Sequence, residues 1–257
     1  MSAAVATWRA LIPAGALIAI PVALVLLQPD LGTALAIKPG AVNLMTAGRG
    51  ITHSEFSTRD TSVLHGVQLW FALPSSARDE EPSFVHHVPE PMYVPGGVAR
   101  VFLGELLGVR SPVRTHTPIT GAEILLDADA ETLVEVPAGH EHALLLDDGD
   151  VTVDGTALEA GELGYLSTGR RSFTLRSARG ARLVLIGGEP LGEQIVMWWN
   201  FIGRSHDEIV LARDEYEAGA ERFGSVEGYV GDVERIPAPT MPPVRLRPRN
   251  RRGRGGG

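Results

Sequence analysis

Apolar residues along most of this chain come in short runs that alternate with polar ones. In the second half these runs are Ile124-Leu125-Leu126, Thr132-Leu133-Val134-Glu135-Val136, Ala143-Leu144-Leu145-Leu146 and Val151-Thr152-Val153. Gly, Asp and Pro turns separate them at intervals of about ten residues, the spacing of short antiparallel strands. Asp148-Gly149 and Asp154-Gly155 are hairpin signals. Leu163 to Leu166, Ser172 to Leu175 and Arg182 to Ile186 continue the series, which predicts a β-barrel or sandwich. Upstream, Lys38 to Gly50 reads as strand, turn, strand. Leu64 to Leu73 reads as a strand with Leu64, Gly66, Gln68 and Trp70 on one side. Val98 to Gly108 is a strand followed by a turn. Ser75 to Pro95, which holds Asp79, Glu80 and Glu81, reads as a long surface loop.

Two stretches break this pattern. Ala10 to Leu27 is uncharged and apolar, interrupted by Pro13 and Pro21. Its length is at the lower edge for a membrane span and too great for a buried strand. No small-residue cleavage site follows it, which argues against a signal peptide. Arg9 before the run and Asp30 after it favour a cytoplasmic N-terminus. At the other end, Ser205-His206-Asp207-Glu208 opens a helix. Ser205 is its N-cap and Glu208 completes a capping box. The helix is expected to run to about Ala220, with Ile209, Ala212, Arg213 and Tyr216 along one stripe.

Composition narrows the classes. The 30 Gly and 18 Pro suit many short strands joined by turns. A net charge of -8 argues against a nucleic-acid surface over the main body. The end differs, because Arg245, Arg247, Arg249, Arg251, Arg252 and Arg254 lead into Gly255-Gly256-Gly257. Such a sequence buries no core and is expected to be disordered. With no cysteine, disulfides, thiol catalysis and thiolate metal sites are excluded. No G-x-S-x-G elbow, P-loop or dinucleotide fingerprint follows a strand.

The candidate chemistry lies in histidines. His53 and Glu55 are two apart, and on a strand such residues project from one face. An imidazole and a carboxylate converging there suit iron and similar divalent metals. The alternative is a solvated pair on an exposed strand face. His140 and His142 form a second H-x-H pattern, but Leu163 to Leu175 supplies no third histidine. The plain alternative there is a solvent-facing strand end. Adjacent His86 and His87 face opposite ways if extended, and His65, His116 and His206 read as structural. Asp147-Asp148-Gly149-Asp150 has too few ligands for a calcium loop and reads as a turn. Trp198-Trp199 reads as core packing.

Pro39-Gly40-Ala41-Val42-Asn43-Leu44-Met45-Thr46-Ala47-Gly48-Arg49-Gly50 leads into His53-Ser54-Glu55, and Leu64-His65-Gly66-Val67-Gln68-Leu69-Trp70 follows. Later come Gly187-Gly188-Glu189-Pro190, Ile195 to Phe201 and Arg235-Ile236-Pro237-Ala238-Pro239. In this order the strings resemble one family, the pirins, which are bicupin metalloproteins. The resemblance covers residues 36 to 240 and implies an all-β fold of two cupin-type barrels with a C-terminal helix. It also implies a mononuclear iron centre and, as in several members, quercetin 2,3-dioxygenase activity. His53 would then be a metal ligand, and Glu55 a ligand that also acts as catalytic base. In pirins two further histidines, from an H-P-H motif upstream, complete the shell. No histidine precedes His53 here, so the first barrel is expected to be truncated and iron binding weak or lost.

Residues 7 to 35 resemble a transmembrane segment of the RodA/FtsW polymerases, through Gln28-Pro29-Asp30-Leu31-Gly32-Thr33-Ala34-Leu35. A junction near Asp30 follows from that resemblance. The expected organisation is an apolar segment at 1–35, a partial N-terminal cupin at 36–114 and a C-terminal cupin at 115–200. A helix and extension occupy 201–240, and the disordered basic tail 241–257. A flavonol-like small molecule or a protein partner is expected, the latter if the chain is a non-catalytic regulator. The expected location is cytoplasmic, with membrane association through residues 10–27.

Overall fold

The computed structural model describes residues 6–8, 40–54, 66–226 and 235–248. In chain order the strands are β1 (Ala6–Trp8), β2 (Val42–Thr46), β3 (Ser83–His87), β4 (Met92–Val94), β5 (Gly97–Leu103), β6 (Glu105–Leu106), β7 (Val109–Arg110) and β8 (Ile119–Leu126). There follow β9 (Ala130–Glu135), β10 (Glu141–Gly149), β11 (Val151–Val153), β12 (Thr156–Leu158), β13 (Leu163–Leu166), β14 (Ser172–Ser177) and β15 (Ala181–Gly188). Hairpin β16 (Val196–Trp198) and β17 (Phe201–Gly203) precede helix α1 (His206–Glu217).

The described residues fall into two compact units. The first comprises residues 6–8, 40–44 and 84–190, and the second residues 45–54, 66–83, 191–226 and 235–248.

The first unit is built on a seven-stranded sheet of order β1-β13-β10-β15-β8-β5-β4 and a four-stranded sheet of order β12-β11-β14-β9. Period-two alternation turns one face of each sheet to a common core. In β9, Ala130, Thr132 and Val134 are buried while Glu131, Leu133 and Glu135 are exposed. Antiparallel register places Leu144 of β10 opposite Leu185 of β15, and Leu185 opposite Ala122 of β8. Leu144, Leu146, Leu183 and Leu185 are fully buried in one cluster with Val134, Phe173 and Leu175. Each such side chain contributes roughly 1.5–3 kcal/mol of transfer free energy.

The other face of the large sheet carries a buried ion network. Glu123 accepts from Arg100 Nη1 at 2.9 Å and from Arg182 Nε at 2.9 Å, with Arg182 Nη2 at 2.7 Å. Arg182 also approaches Asp147 at 3.6 Å. Gly40, at φ +78°, lies against this network. A Cβ there would stand 2.8 Å from Glu123 Oε2 and 2.5 Å from Arg100 Cδ. The Pro39-Gly40 step therefore needs glycine for space as well as for its dihedral.

In the second unit the two-residue link Trp199-Asn200 closes the β16–β17 hairpin. Trp199 is left-handed at φ 50°, a strained state for a bulky residue. Edge contacts hold it there, with ring centroids 5.4 Å from Phe201 and 5.7 Å from Tyr216. Ile209 of α1, Val196, Phe201 and Ala238 form the buried core beneath. Ser205 caps α1, its hydroxyl accepting the Glu208 N–H at 3.2 Å. The Glu208 carboxylate accepts the backbone N–H of Arg204, one residue before the cap, rather than that of Ser205. The helix stops at Glu217, short of the expected Ala220, because Gly219 at φ +72° turns the chain away.

Other expectations are corrected. The loop expected at 75–95 contains β3 and β4, since its prolines bound short strands instead of abolishing them. The strand expected at 64–73 is irregular over 66–74. A boundary at 114/115 does not separate compact units, because β5 hydrogen-bonds to β8 from Gly97 to Leu103. The disorder expected from 241 onward does not hold as far as 248. Met241 and Leu246 pack on the α1 cluster, Arg245 pairs with Asp207 at 2.9 Å, and the Leu246 N–H donates to His206 Nδ1 at 3.1 Å. The rest of the basic tail lies outside the described residues. So does the apolar run 10–27, and no helix among the described residues is long and apolar enough to cross a membrane.

The ion network gives a stability prediction. Removing one partner of a buried pair costs about 3–5 kcal/mol, but both arginines here keep contact with water. Glu123→Ala is expected to cost roughly 2–3 kcal/mol, and Glu123→Gln somewhat less, in urea unfolding followed by circular dichroism. A midpoint unchanged in both variants would show the network to be neutral.

Candidate functional site

The turn before His53 is fixed by close backbone approach. The Gly50 N–H donates to Ala47 O at 2.9 Å and the Arg49 N–H donates to Glu80 O at 3.0 Å. Gly48 has φ +50°, and a Cβ on it would lie 2.0 Å from Glu80 O, so no side chain fits. The Arg49 guanidinium pairs with Glu81, and Arg222 donates to the carbonyl of Arg49. Gly48-Arg49-Gly50 is therefore a structural lock that sets where the chain enters residues 51–54.

Those four residues are irregular, not the strand expected, and His53 is exposed. Glu55 and His65 lie outside the described residues. The same-face geometry that would bring His53 and Glu55 to one ion is thus not displayed at His53. Beside it the Ser54 hydroxyl is buried with no hydrogen-bond partner among the described residues. No group of three or more His, Asp or Glu among the described residues is arranged to hold a metal ion.

His86 stands on β3, where its Nδ1 meets Asn43 Oδ1 at 2.6 Å, which gives it a structural partner. Between residues 73 and 79 and the helix entry runs a charged clamp that the sequence did not suggest. Glu193 accepts from the Ser75 hydroxyl at 2.6 Å, from the Ser75 N–H at 2.9 Å and from Arg204 Nε at 2.8 Å. These bonds, led by the Ser75 hydroxyl, hold its carboxyl down to about 2. Arg204 also donates to Leu73 O at 2.6 Å, and Arg78 donates to Glu208 at 2.8 Å. All four charges are satisfied, so the clamp positions backbone.

His140 and His142 are placed differently from expectation. The alternation of β10 sends His142 inward with Leu144 and Leu146, and it is 2 % exposed. This is no solvent-facing strand end. His142 lies opposite Gly187 of β15, and a Cβ on Gly187 would stand 2.3 Å from His142 Cδ2. The two imidazoles have ring centroids 5.9 Å apart. His140 Nδ1 and His142 Nε2 are buried without a hydrogen-bond partner among the described residues. Each such atom costs roughly 1–3 kcal/mol. Burial, reinforced by His140, pushes the His142 pKa down to about 4, and burial lowers that of His140. Both rings are neutral at neutral pH. The H-x-H spacing was visible in the sequence, whereas the burial of both orphaned nitrogens was not.

Two antiparallel sheets closing on one apolar core, with an inward H-x-H strand at the rim, define a cupin-type β-barrel protein. The sequence profile of the pirin C-terminal cupin domain matches residues 121–224, and the pirin profile matches residues 26–71. A Pseudomonas aeruginosa protein provisionally named a quercetin 2,3-dioxygenase is 42% identical over 217 residues, which cover 84% of this chain and 68% of that protein. A pirin-like protein of Caulobacter vibrioides is 33% identical over 208 residues, 78% of this chain and 71% of that one. The crystal structure of a quercetin 2,3-dioxygenase from Acinetobacter baumannii superposes with a TM-score of 0.77 at 36% identity, covering 84% of this chain and 72% of that chain. The chain belongs to the pirin family. Its match begins at residue 26. Gln28 to Leu35 falls inside the pirin match, and the RodA/FtsW resemblance gains no support from these comparisons.

The histidine pair sets an acid limit. Its folded pKa lies below the unfolded value of about 6.5, so the unfolded chain binds more protons between the two. In chelator-treated protein, stability should be complete above about pH 6.5. It should then fall by roughly 3 kcal/mol as the pH drops towards 4, from His142 alone. His142→Leu should flatten this limb in urea titrations. An unchanged slope would place the acid sensitivity elsewhere.

Proposed function

We propose that this chain is a pirin-type cupin of the flavonol-dioxygenase kind whose iron shell is incomplete. The observation that carries the reading is that none of its eight histidines precedes His53. The family's upstream ligand pair therefore has no counterpart in this sequence. The substrate class is supported by the two relatives named for quercetin 2,3-dioxygenase, the Pseudomonas protein and the Acinetobacter structure. In the complete family site iron would bind the flavonol oxygen as a Lewis acid. Here His53 would remain as a ligand and Glu55 as ligand and base, with Gly48-Arg49-Gly50 fixing the turn before His53.

Losing even a group that only supports a metal ligand costs about 10–100-fold in affinity, and losing two direct ligands costs more. A second reading, a non-catalytic protein-binding module, is favoured by the first unit's core. That core is closed by aliphatic and aromatic side chains.

Elemental analysis of the purified untagged chain should find iron well below one per chain. Quercetin-dependent oxygen uptake should lie at least about 100-fold under that of the Pseudomonas relative assayed beside it. Near-equimolar, tightly held iron together with rapid turnover would overturn the incomplete-shell reading.

A further inference from the structure

Basic side chains are gathered at one end of an otherwise acidic chain. Residues 245–257 hold Arg245, Arg247, Arg249, Arg251, Arg252 and Arg254 out of 23 lysines and arginines in the whole protein, and none of its 31 acidic residues. The root of this segment is anchored in the second unit. Leu246 packs on the α1 cluster, and its N–H donates to His206 Nδ1 at 3.1 Å. On either side of Leu246 the arginines are exposed to solvent. Arg247 has no ion-pair partner among the described residues. Arg245 pairs with Asp207 at 2.9 Å, but the two side chains are 64% and 72% exposed. So exposed a pair contributes little, and a phosphate replaces Asp207 at small cost. The alternation that turns Arg245 and Arg247 outward continues in the sequence at Arg249 and Arg251.

We propose that this arginine-rich end is a binding arm for a single-stranded polynucleotide. Each guanidinium presents a planar fork that fits phosphate oxygens, and its face stacks on an unpaired base. Neutralising phosphates releases the counterions condensed on the strand, which supplies affinity without a choice of sequence. Asn250, among the arginines, offers both a donor and an acceptor to base edges. Residues 247–257 contain no Leu, Ile, Phe or Trp, the side chains with which a basic segment enters a lipid surface. A duplex hides the base faces from stacking. The acidic remainder of the chain also repels a rigid, densely charged rod more than a strand that meets the arm alone. The arm acts independently of the flavonol reading and of any metal.

The test is fluorescence anisotropy with the untagged full chain and labelled oligouridylate and oligothymidylate of ~20 nucleotides in about 50 mM salt. At least one strand should bind with a Kd on the order of micromolar, and comparison of the two identifies the preferred sugar. Affinity should fall about 50–100-fold on raising the salt to about 150 mM, the dependence that five or six neutralised phosphates impose on a single strand. Arg247→Gln, Arg249→Gln, Arg251→Gln, Arg252→Gln and Arg254→Gln combined in one chain should weaken binding about 50-fold or more, with an unchanged circular dichroism spectrum. No uptake of either strand at ~100 µM chain in about 50 mM salt, as for an arm held on the body's own carboxylates, would overturn the proposal. So would undiminished affinity in the five-site variant, or a log–log salt slope shallower than about −2 in the wild-type chain. Tighter binding to vesicles of ~30% phosphatidylserine than to either strand would assign the arm to anionic lipid and overturn it as well.

Discussion

The register of β15 between β10 and β8 is the constraint on which the first unit depends. Along both ladders the partners run without interruption from Gly188 to Leu183. Side chains alternate with a period of two, so a slip of one residue would exchange the faces of the sheet. Leu183 and Leu185 would leave the core, and Arg182 would be turned into it, away from Glu123. The apolar transfer lost and the buried charge gained act in the same direction. A single antiparallel register is thereby enforced, and with it the positions of Gly187, Thr120 and His142.

The same alternation explains how much of the fold was legible. β8 to β11 and β13 to β15 could be read from their apolar runs because one face of each is buried, whereas β12 was not. β3 and β4 were hidden in a Pro-rich stretch, where β3 has exposed Ser83 and Val85 alternating with half-buried Phe84 and His86. β1 gave no signal either. It joins the sheet edge at β13 through Ala6↔Tyr165 to Trp8↔Leu163, a backbone pairing that three residues cannot advertise. The compact unit formed by β5 with β8 was equally invisible, because a local pattern carries no information about which distant strand becomes a neighbour. Charge reading failed at the basic end for a related reason. Arg245 meets Asp207 and Leu246 meets the α1 cluster, and tertiary contact overrides composition there.

Motif strings identified the family more surely than the site. Gly48 and Gly50 could be read as hallmark glycines; the close approach of Gly48 to Glu80 O leaves no room for a side chain, and Gly50 holds a φ of +147° that side chains rarely adopt. They specify backbone geometry, which survives whether or not a metal is held nearby. The expected ligand pair His53 and Glu55 assumed a strand, and the irregular path of residues 51–54 removes that assumption for His53. A string can thus mark ancestry through its turn glycines, whose role is set by backbone geometry and not by the chemistry nearby.

Two buried polar sites of the first unit show how differently the fold treats such groups. Glu123 is matched on both oxygens by two arginines, and Gly40 leaves it room, so its burial is resolved within the chain. His142 is as deeply buried, yet its Nε2 and the neighbouring His140 Nδ1 have no hydrogen-bond partner among the described residues. A stability requirement alone would be met better by leucine at both positions, continuing the series of Leu144 and Leu146.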